Sequence, residues 1–307
     1  MQIGFGAPVA GAWATPDNLA SFAVRAEQAG YASLWTFQRL LIPEGSAMEP
    51  VYHSVLDPMV ALGYTAAVTS RIRLGVAVLN VPYVSPVIVA KQAATLDVLS
   101  GGRCELGLGI GWMPEEFAAT GASMARRGAR AAEYIAVLRH LWADQVTEFS
   151  GEFYTVPAAR TAPRPVQHPG PPVILGGLAE SALERVGRIA DGWVTSSRTD
   201  LSRIGDGIAV IRAAAEKAGR DPGTIRIICR GVVRAGAPMV VPEGGGRVLL
   251  SGSHDDIRGD TEWLAGQGVT EVFYDLNWDP LIGAPDADPV GAAARASELL
   301  DALAPRP

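Results

Sequence analysis

The feature that most restricts the fold is an alternation that runs unbroken along the chain. Short β-branched or apolar runs alternate with longer helical ones across all 307 residues. The predicted strands are Ile3–Ala7, Ser33–Phe37, Ile72–Leu79, Cys104–Ile110, Val173–Leu175, Trp193–Thr195, Ile225–Val233 and Val269–Tyr274. Helix starts are marked by Thr15-Pro16-Asp17 and near Pro86, and others follow Ser181, Leu201, Ser253 and Asp288; Gly30 stops the first helix. Between the fourth and fifth strands lie a long helix over Arg127–Ala143, a hairpin in "VTEFSGEFYTV" turning at Gly151, and the crossing "PRPVQHPGPP". That crossing is the best candidate for a linker, yet the alternation resumes beyond it, so one domain over residues 1–307 is expected. "PEGGGRVLLSG" (242–252) reads as a mobile loop. Eight β/α units in about 250–300 residues suit a closed parallel barrel better than two open sheets.

In such a barrel the reacting groups lie where strands end and loops toward helices begin. The fourth strand is unusual there. "ELGLGIGW" sends Leu106, Leu108 and Ile110 to one face and Gly107, Gly109 and Gly111 to the other. A barrel interior is normally filled by bulky side chains, so the bare face is a tight bend, a small-residue packing layer or room for a flat ring. Without GxGxxG and a following acidic residue, a Rossmann dinucleotide site is disfavoured. Trp112, just past the strand, either joins the core or walls a cavity. Gly176 and Gly177 end the fifth strand, and "GGLAESALERV" then opens a helix. Free N–H groups there suit a phosphate, with an ordinary glycine turn as the alternative. Thr195, Ser196 and Ser197 end the sixth strand and either add hydroxyl donors to that anion or cap the next helix.

Composition removes other functions. A net charge of −6 leaves no basic surplus for nucleic acid or an anionic membrane surface. No apolar run reaches the roughly 18 residues of a membrane span. The opening stretch has no basic leader and is broken by Gly4, Gly6, Pro8 and Gly11, so it reads as a strand rather than a signal peptide. Cys104 and Cys229 stand singly in apolar runs, the usage of a reduced compartment, and a cytoplasmic protein is expected. His53, His140, His168 and His254 show no metal-binding spacing, so no metal site is expected, and there is no GxSxG elbow.

Taken together, "SLWTFQRLLIP", "IRLGVAVLNVP", "LSGGRCELGLGIGWMPEEF", "GEFYTV", "PPVILGGLAESALERVGRIADGW" and "TEVFYDLN" resemble the bacterial luciferase-like oxidoreductase family over nearly the whole chain. Within it the chain most resembles the actinobacterial branch that uses the deazaflavin coenzyme F420, whose FMN-using relatives share many of these blocks. The resemblance implies a (β/α)8 TIM barrel with insertions after strands 2, 4 and 7, holding F420, or alternatively FMN, at the strand C-termini. A non-prolyl cis peptide that buttresses the ring in many members maps to Ala77–Val78, with Asn80 just beyond. The phosphate-binding turn maps to Gly176, Gly177, Leu178 and Ala179, and the strand-four turn to Gly109, Gly111 and Trp112. Thr195 and Ser196 complete the expected cofactor set. One departure matters: where deazaflavin dehydrogenases often carry an Asp-His pair after strand two, this chain has Gln38 and Arg39. Histidine exchanges protons near neutral pH whereas arginine effectively does not, which points away from alcohol oxidation.

The expected activity is therefore hydride transfer from reduced F420 to an activated C=C or C=N bond of a small organic substrate. Gln38 would hydrogen-bond the ring or substrate, Arg39 would steady charge, and Trp112 with Tyr83 would wall the pocket; Tyr52 and His53 are the candidate proton donors. Two alternatives are an FMNH2-dependent monooxygenase fed by a separate reductase and a non-catalytic barrel that binds a ligand. A homodimer is expected from the resemblance.

Overall fold

The computed structural model of the chain describes residues 1–143, 146–236, 239 and 246–305. Its eight long-range strands are β1 (Gln2–Gly6), β2 (Ser33–Thr36), β3 (Arg73–Asn80), β4 (Cys104–Gly109), β5 (Val173–Gly176), β6 (Gly192–Val194), β7 (Arg226–Val232) and β8 (Glu271–Asp275). They close into a barrel in the order β1-β8-β7-β6-β5-β4-β3-β2, and β1 pairs in parallel with both β8 and β2. The helix starts follow from sequence. Thr15 Oγ1 accepts from Asn18 N (3.2 Å) ahead of Pro16–Gln28, and Asp57 accepts from Met59 N and Val60 N (3.0 Å each) ahead of Pro58–Val68. Ser253 and Asp256 cap His254–Gly266 reciprocally. Each such cap satisfies donors that the helix itself leaves open, worth about 1 kcal/mol.

After β4 the long helix Arg127–Ala143 leads to an antiparallel hairpin, Thr147–Ser150 with Thr155–Ala159. Of the stretch read as a mobile loop, residues 242–245 lie outside the described residues. The remainder is anchored: Leu250 is fully buried and Ser251–Gly252 pairs with Arg234–Ala235. Among the described residues no helix is long and apolar enough to cross a membrane.

The barrel interior is a separate apolar cluster of Trp35, Ala77, Ile174, Val194, Ile228 and Phe273, with Val78 packed against it. Six strands supply these side chains, while β1 and β4 bring glycines. The two facts are linked. Trp35 and Phe273 stack with centroids 5.4 Å apart, and a Cβ at Gly75 would strike the Trp35 ring, while one at Gly4 would strike the Ser33 hydroxyl. The large inward ring of Trp35 requires a bare position on the neighbouring β3.

The glycines of β4 answer to the same rule, with a different occupant. Register between β3 and β4 shifts between Val76 and Leu79, and the Ala77–Val78 peptide within this bulge is cis. A Cβ at Gly109 would lie 2.5 Å from Val78 Cγ2, one at Gly176 3.2 Å from Val78 Cγ1, and one at Gly107 would fall on the Val76 carbonyl oxygen. The reading of the bare face as a seat for a flat ring is corrected here. The chain's own bulge fills it, because the extra β3 residue must go somewhere and only glycine lets it lean onto β4.

At the opposite end the barrel is plugged by four charges. Arg73 reaches Glu105 (2.5 Å) and Glu271 (2.6 Å), and Arg226 reaches the same two (2.8 and 2.7 Å). Burial opposes ionisation of Glu271, yet the two guanidiniums, with Ser33 and Trp35 donating, hold it below the ordinary carboxylate range. Removing one partner from a buried charge cluster leaves the others uncompensated. Arg226→Met is therefore expected to lower stability by about 3–5 kcal/mol in urea unfolding. Adding Glu105→Gln to that variant should recover part of the loss.

Candidate active site

The barrel mouth is built from three groups of residues. The first links β2, β3 and β4. Gln38 Oε1 accepts from Asn80 N (2.9 Å), and Asn80 Oδ1 accepts from Gly111 N (3.1 Å), so two expected site residues hold the strand ends in register. Gly111 has φ +70°, and a Cβ there would also meet the Tyr83 hydroxyl at 2.8 Å. Arg39 is buried: its Nη1 lies 3.0 Å from Glu116 Oε1, and its guanidinium lies over the rings of Tyr52 (4.7 Å) and Trp112 (5.0 Å). Trp112 itself is half exposed, so it stands at the rim rather than in the core. Burial, with the Glu116 carboxylate nearby, pushes the Tyr83 phenol above its ordinary range and keeps it a donor.

His53 is placed apart from this group. The short 3-10 turn Pro50–Tyr52 sends Tyr52 inward against Phe37 and Trp278, while His53 follows it into solvent with its ring nitrogen 3.2 Å from the Met48 carbonyl oxygen. Of the two candidate donors, only Tyr52 faces the mouth.

The second group is the turn after β5. Gly177 adopts φ +150°, and a Cβ there would lie 2.6 Å from that of Ala182. The turn delivers the chain into Glu180–Ile189, whose N-cap, Ala179, brings no side-chain acceptor. Leu178 and Ala179 are exposed, and no side chain caps the helix start, whose Ala182 amide donates to the Ala179 carbonyl (2.8 Å). Thr195 is buried and its Oγ1 accepts from Arg230 N (2.8 Å), which makes it a link between β6 and β7. Ser196 is half-buried and turned toward Thr199, with Oγ–Oγ1 at 3.3 Å.

The third group was not singled out by sequence. Arg230, on β7, crosses the mouth: Nε donates to Asp275 Oδ2 (2.7 Å) and Nη1 to the carbonyl of Ala77 (3.2 Å), on the far wall. Its guanidinium is stacked 4.1 Å from the Trp278 centroid and 4.9 Å from that of Phe37. Asp275 is held in turn by Asn277, whose N and Nδ2 donate to Oδ1 at 3.0 and 2.9 Å. A lone arginine in the apolar run "IICRGVV" was the available signal. A charge inside a barrel strand has to be paired in the interior or point into the mouth. Over β6–β8 the mouth closes into a cavity of about 350 Å³, lined in part by Ser196, Arg230 and Trp278. The Gly176–Ala179 turn and Val78 are not among its walls.

The mouth thus offers a partly buried apolar ledge at Val78, a helix start without a side-chain cap on one flank and guanidinium donors on the other. A luciferase-like monooxygenase family model matches residues 3–239. The chain belongs to this family. An uncharacterised protein of Mycobacterium tuberculosis is 33% identical over 265 residues, covering 85% of this chain and 81% of its own length. The F420-dependent glucose-6-phosphate dehydrogenase of Kineococcus radiotolerans is 32% identical over 217 residues, 68% of this chain and 61% of its own. The solved structure of a monooxygenase from Streptomyces bottropensis has the same fold, with a TM-score of 0.78 at 20% identity over 98% of both chains. Members of this luciferase-like family are oxidoreductases, and its relatives include F420-dependent enzymes and monooxygenases.

The ledge depends on bare positions in β4. Gly107→Ala, whose methyl would meet the Val76 carbonyl, is expected to cost about 1–3 kcal/mol and to weaken cofactor binding. Gly259→Ala, in an exposed helix with open space around it, should be neutral or stabilising by up to about 1 kcal/mol. Thermal melts and cofactor titration of the two variants check this.

Proposed function

We propose that the protein is an F420-dependent oxidoreductase that reduces an activated C=C or C=N bond of a small organic substrate. The observation that carries this reading is the state of the carboxylates at the mouth. Glu116 is paired with Arg39, Asp275 with Arg230 and Asp279 with Arg295. Each of these three acids is tied to a guanidinium and is a poor base for alcohol oxidation, whereas donors abound. Reduction of a polarised double bond builds negative charge on the acceptor, and donors placed beforehand stabilise that charge.

The residues present fit a cofactor with a planar ring and an anionic tail. Gly176, Gly177, Leu178 and Ala179 would hold the tail through backbone amides at a helix start that has no side-chain cap. Ala77 and Val78 would support the ring, with Trp112 and Ser196 at its flanks. When bound, the deazaflavin supplies the hydride; the chain's own part is position and field. Arg230 fixes the ledge through the Ala77 carbonyl, Arg39 places positive charge at the rim, and Tyr52 and Tyr83 line the approach and limit water. Tyr52 is the candidate proton donor that faces the mouth.

Titration with F420 and with FMN, followed by oxygen uptake and by reoxidation of each reduced cofactor with enones and imines, tests the reading. The expected result is saturable quenching of F420 fluorescence, FMN binding weaker by about tenfold or more, and oxygen-independent reoxidation by at least one acceptor. Tighter binding of FMN with oxygen-dependent turnover would replace it with the monooxygenase reading.

A further inference from the structure

Unpartnered donors are not confined to one part of the mouth, where Arg39 Nε and the Tyr83 hydroxyl are also buried without a partner among the described residues, but they gather in the cavity over β6–β8. Three residues that line it hold a buried nitrogen with no hydrogen-bond partner among the described residues: Arg230 Nη2, Arg234 Nη1 and Trp278 Nε1. All three are donors that cannot accept. No lining residue leaves a buried acceptor unpartnered in the same way. A buried donor without a partner costs about 1–3 kcal/mol and is rare in folded proteins. Three of them among the residues lining one cavity suit a guest rich in acceptor oxygens.

The charges of the lining are nearly balanced, and they differ in burial. Of the three arginines in the lining, Arg230 is paired with Asp275, and Arg247 is gripped by both oxygens of Asp260 at 2.7 Å. Arg234 has no carboxylate at ion-pair distance among the described residues, and Asp279, Glu49 and Asp275 act on its charge from farther off. Of the two acids of the lining, Glu49 faces Arg198 at 3.7 Å, while Asp200 is exposed and bonded only to the neutral Ser202 (N at 3.0 Å, Oγ at 2.6 Å), so its charge is unpaired but screened by water. The remaining walls mix serine hydroxyls with Val232, Val248 and Leu249, which suit a short carbon skeleton.

We propose that this cavity is the substrate site and that its substrate is acidic: a carboxylate or phosphate whose oxygens accept from Arg234, Arg230 and Trp278. Arg230 also donates through Nη1 to the Ala77 carbonyl, so an anion on its Nη2 sits one guanidinium away from the Val78 ledge. A reducible bond a few atoms from the anion then reaches the mouth of the barrel. The substrate class rests on the hydride-transfer reading above for its reaction, though not for its binding. The same donors would also serve the acidic tail of a cofactor, and the experiment separates the two sources.

Cinnamate and its neutral methyl ester are titrated calorimetrically into the full chain without cofactor, at fixed ionic strength. Wild type, Arg234→Gln and Arg234→Lys are compared, and F420 fluorescence quenching is measured on each. The expected result is cinnamate binding about tenfold or more tighter than the ester. That ratio should fall to about twofold or less in Arg234→Gln and be partly kept in Arg234→Lys. F420 affinity should stay within about twofold throughout. Equal binding of acid and ester by wild type would overturn the proposal, as would an acid preference that Arg234→Gln leaves intact. A variant that weakens F420 tenfold without touching the acid preference would assign the donors to the cofactor, and that too overturns it. Lys at the position preserves charge, so loss in both variants with altered circular dichroism is distinguished from loss in Gln alone. Absence of F420 binding in wild type would count against the deazaflavin reading only, because the acid-to-ester ratio is read without cofactor.

Discussion

The mouth of this barrel depends on one close approach, that of the β3 bulge to the bare faces of β4 and β5. Val78 sits where Gly109 and Gly176 have no side chains, and the Val76 carbonyl sits where Gly107 has none. Protein interiors are packed too tightly to leave such a volume empty, so the glycines and the bulge require each other. The bulge is also held from across the mouth. Arg230 reaches the Ala77 carbonyl from β7, and Asp275 and Asn277 fix Arg230 from β8. A partly buried apolar ledge is thereby seated on the glycines of β4 and β5 and pinned from β7 and β8. A planar cofactor would lean on that ledge, not on β4 itself.

Around the ledge the polar groups are sorted by kind. Carboxylates are held by arginines at Glu116 and Asp275, and the free valences that remain near the mouth are donors. Buried ion pairs of this sort add little net stability, since desolvation offsets attraction. Their effect is to fix geometry and sign. A pocket with surplus donors favours guests and transition states that gain negative charge, which matches delivery of a hydride to a polarised bond better than removal of a proton from an alcohol. The two cysteines take no part: Cys104 and Cys229 are buried, and burial pushes both thiols up, that of Cys229 to about 12.

Much of the framework was legible in the chain. All eight strands lie within two residues of their expected bounds, because β-branched runs and Thr/Asp/Ser-Pro caps are local signals. The turn at Gly176–Ala179 and the rim position of Trp112 were legible for the same reason. What escaped depended on pairing across the barrel. Alternation along β4 showed that one face was bare, but its occupant comes from a neighbouring strand's bulge, which no local pattern encodes. Thr195 looked like a free hydroxyl because the Arg230 amide that it serves lies on the adjacent strand. His53 and Tyr52 are neighbours in sequence, and the turn that sends them apart is set by packing against Phe37 and Trp278. Arg230 was visible as a charge in an apolar run, and its reach across the mouth was not.

A crystal structure of the protein with F420 bound is the decisive measurement. The ring should pack against Val78, opposite the Arg230–Ala77 contact, with the anionic tail on the amides of Gly176–Ala179. A ring lying away from Val78, or a tail bound elsewhere while those amides face solvent, would contradict this arrangement.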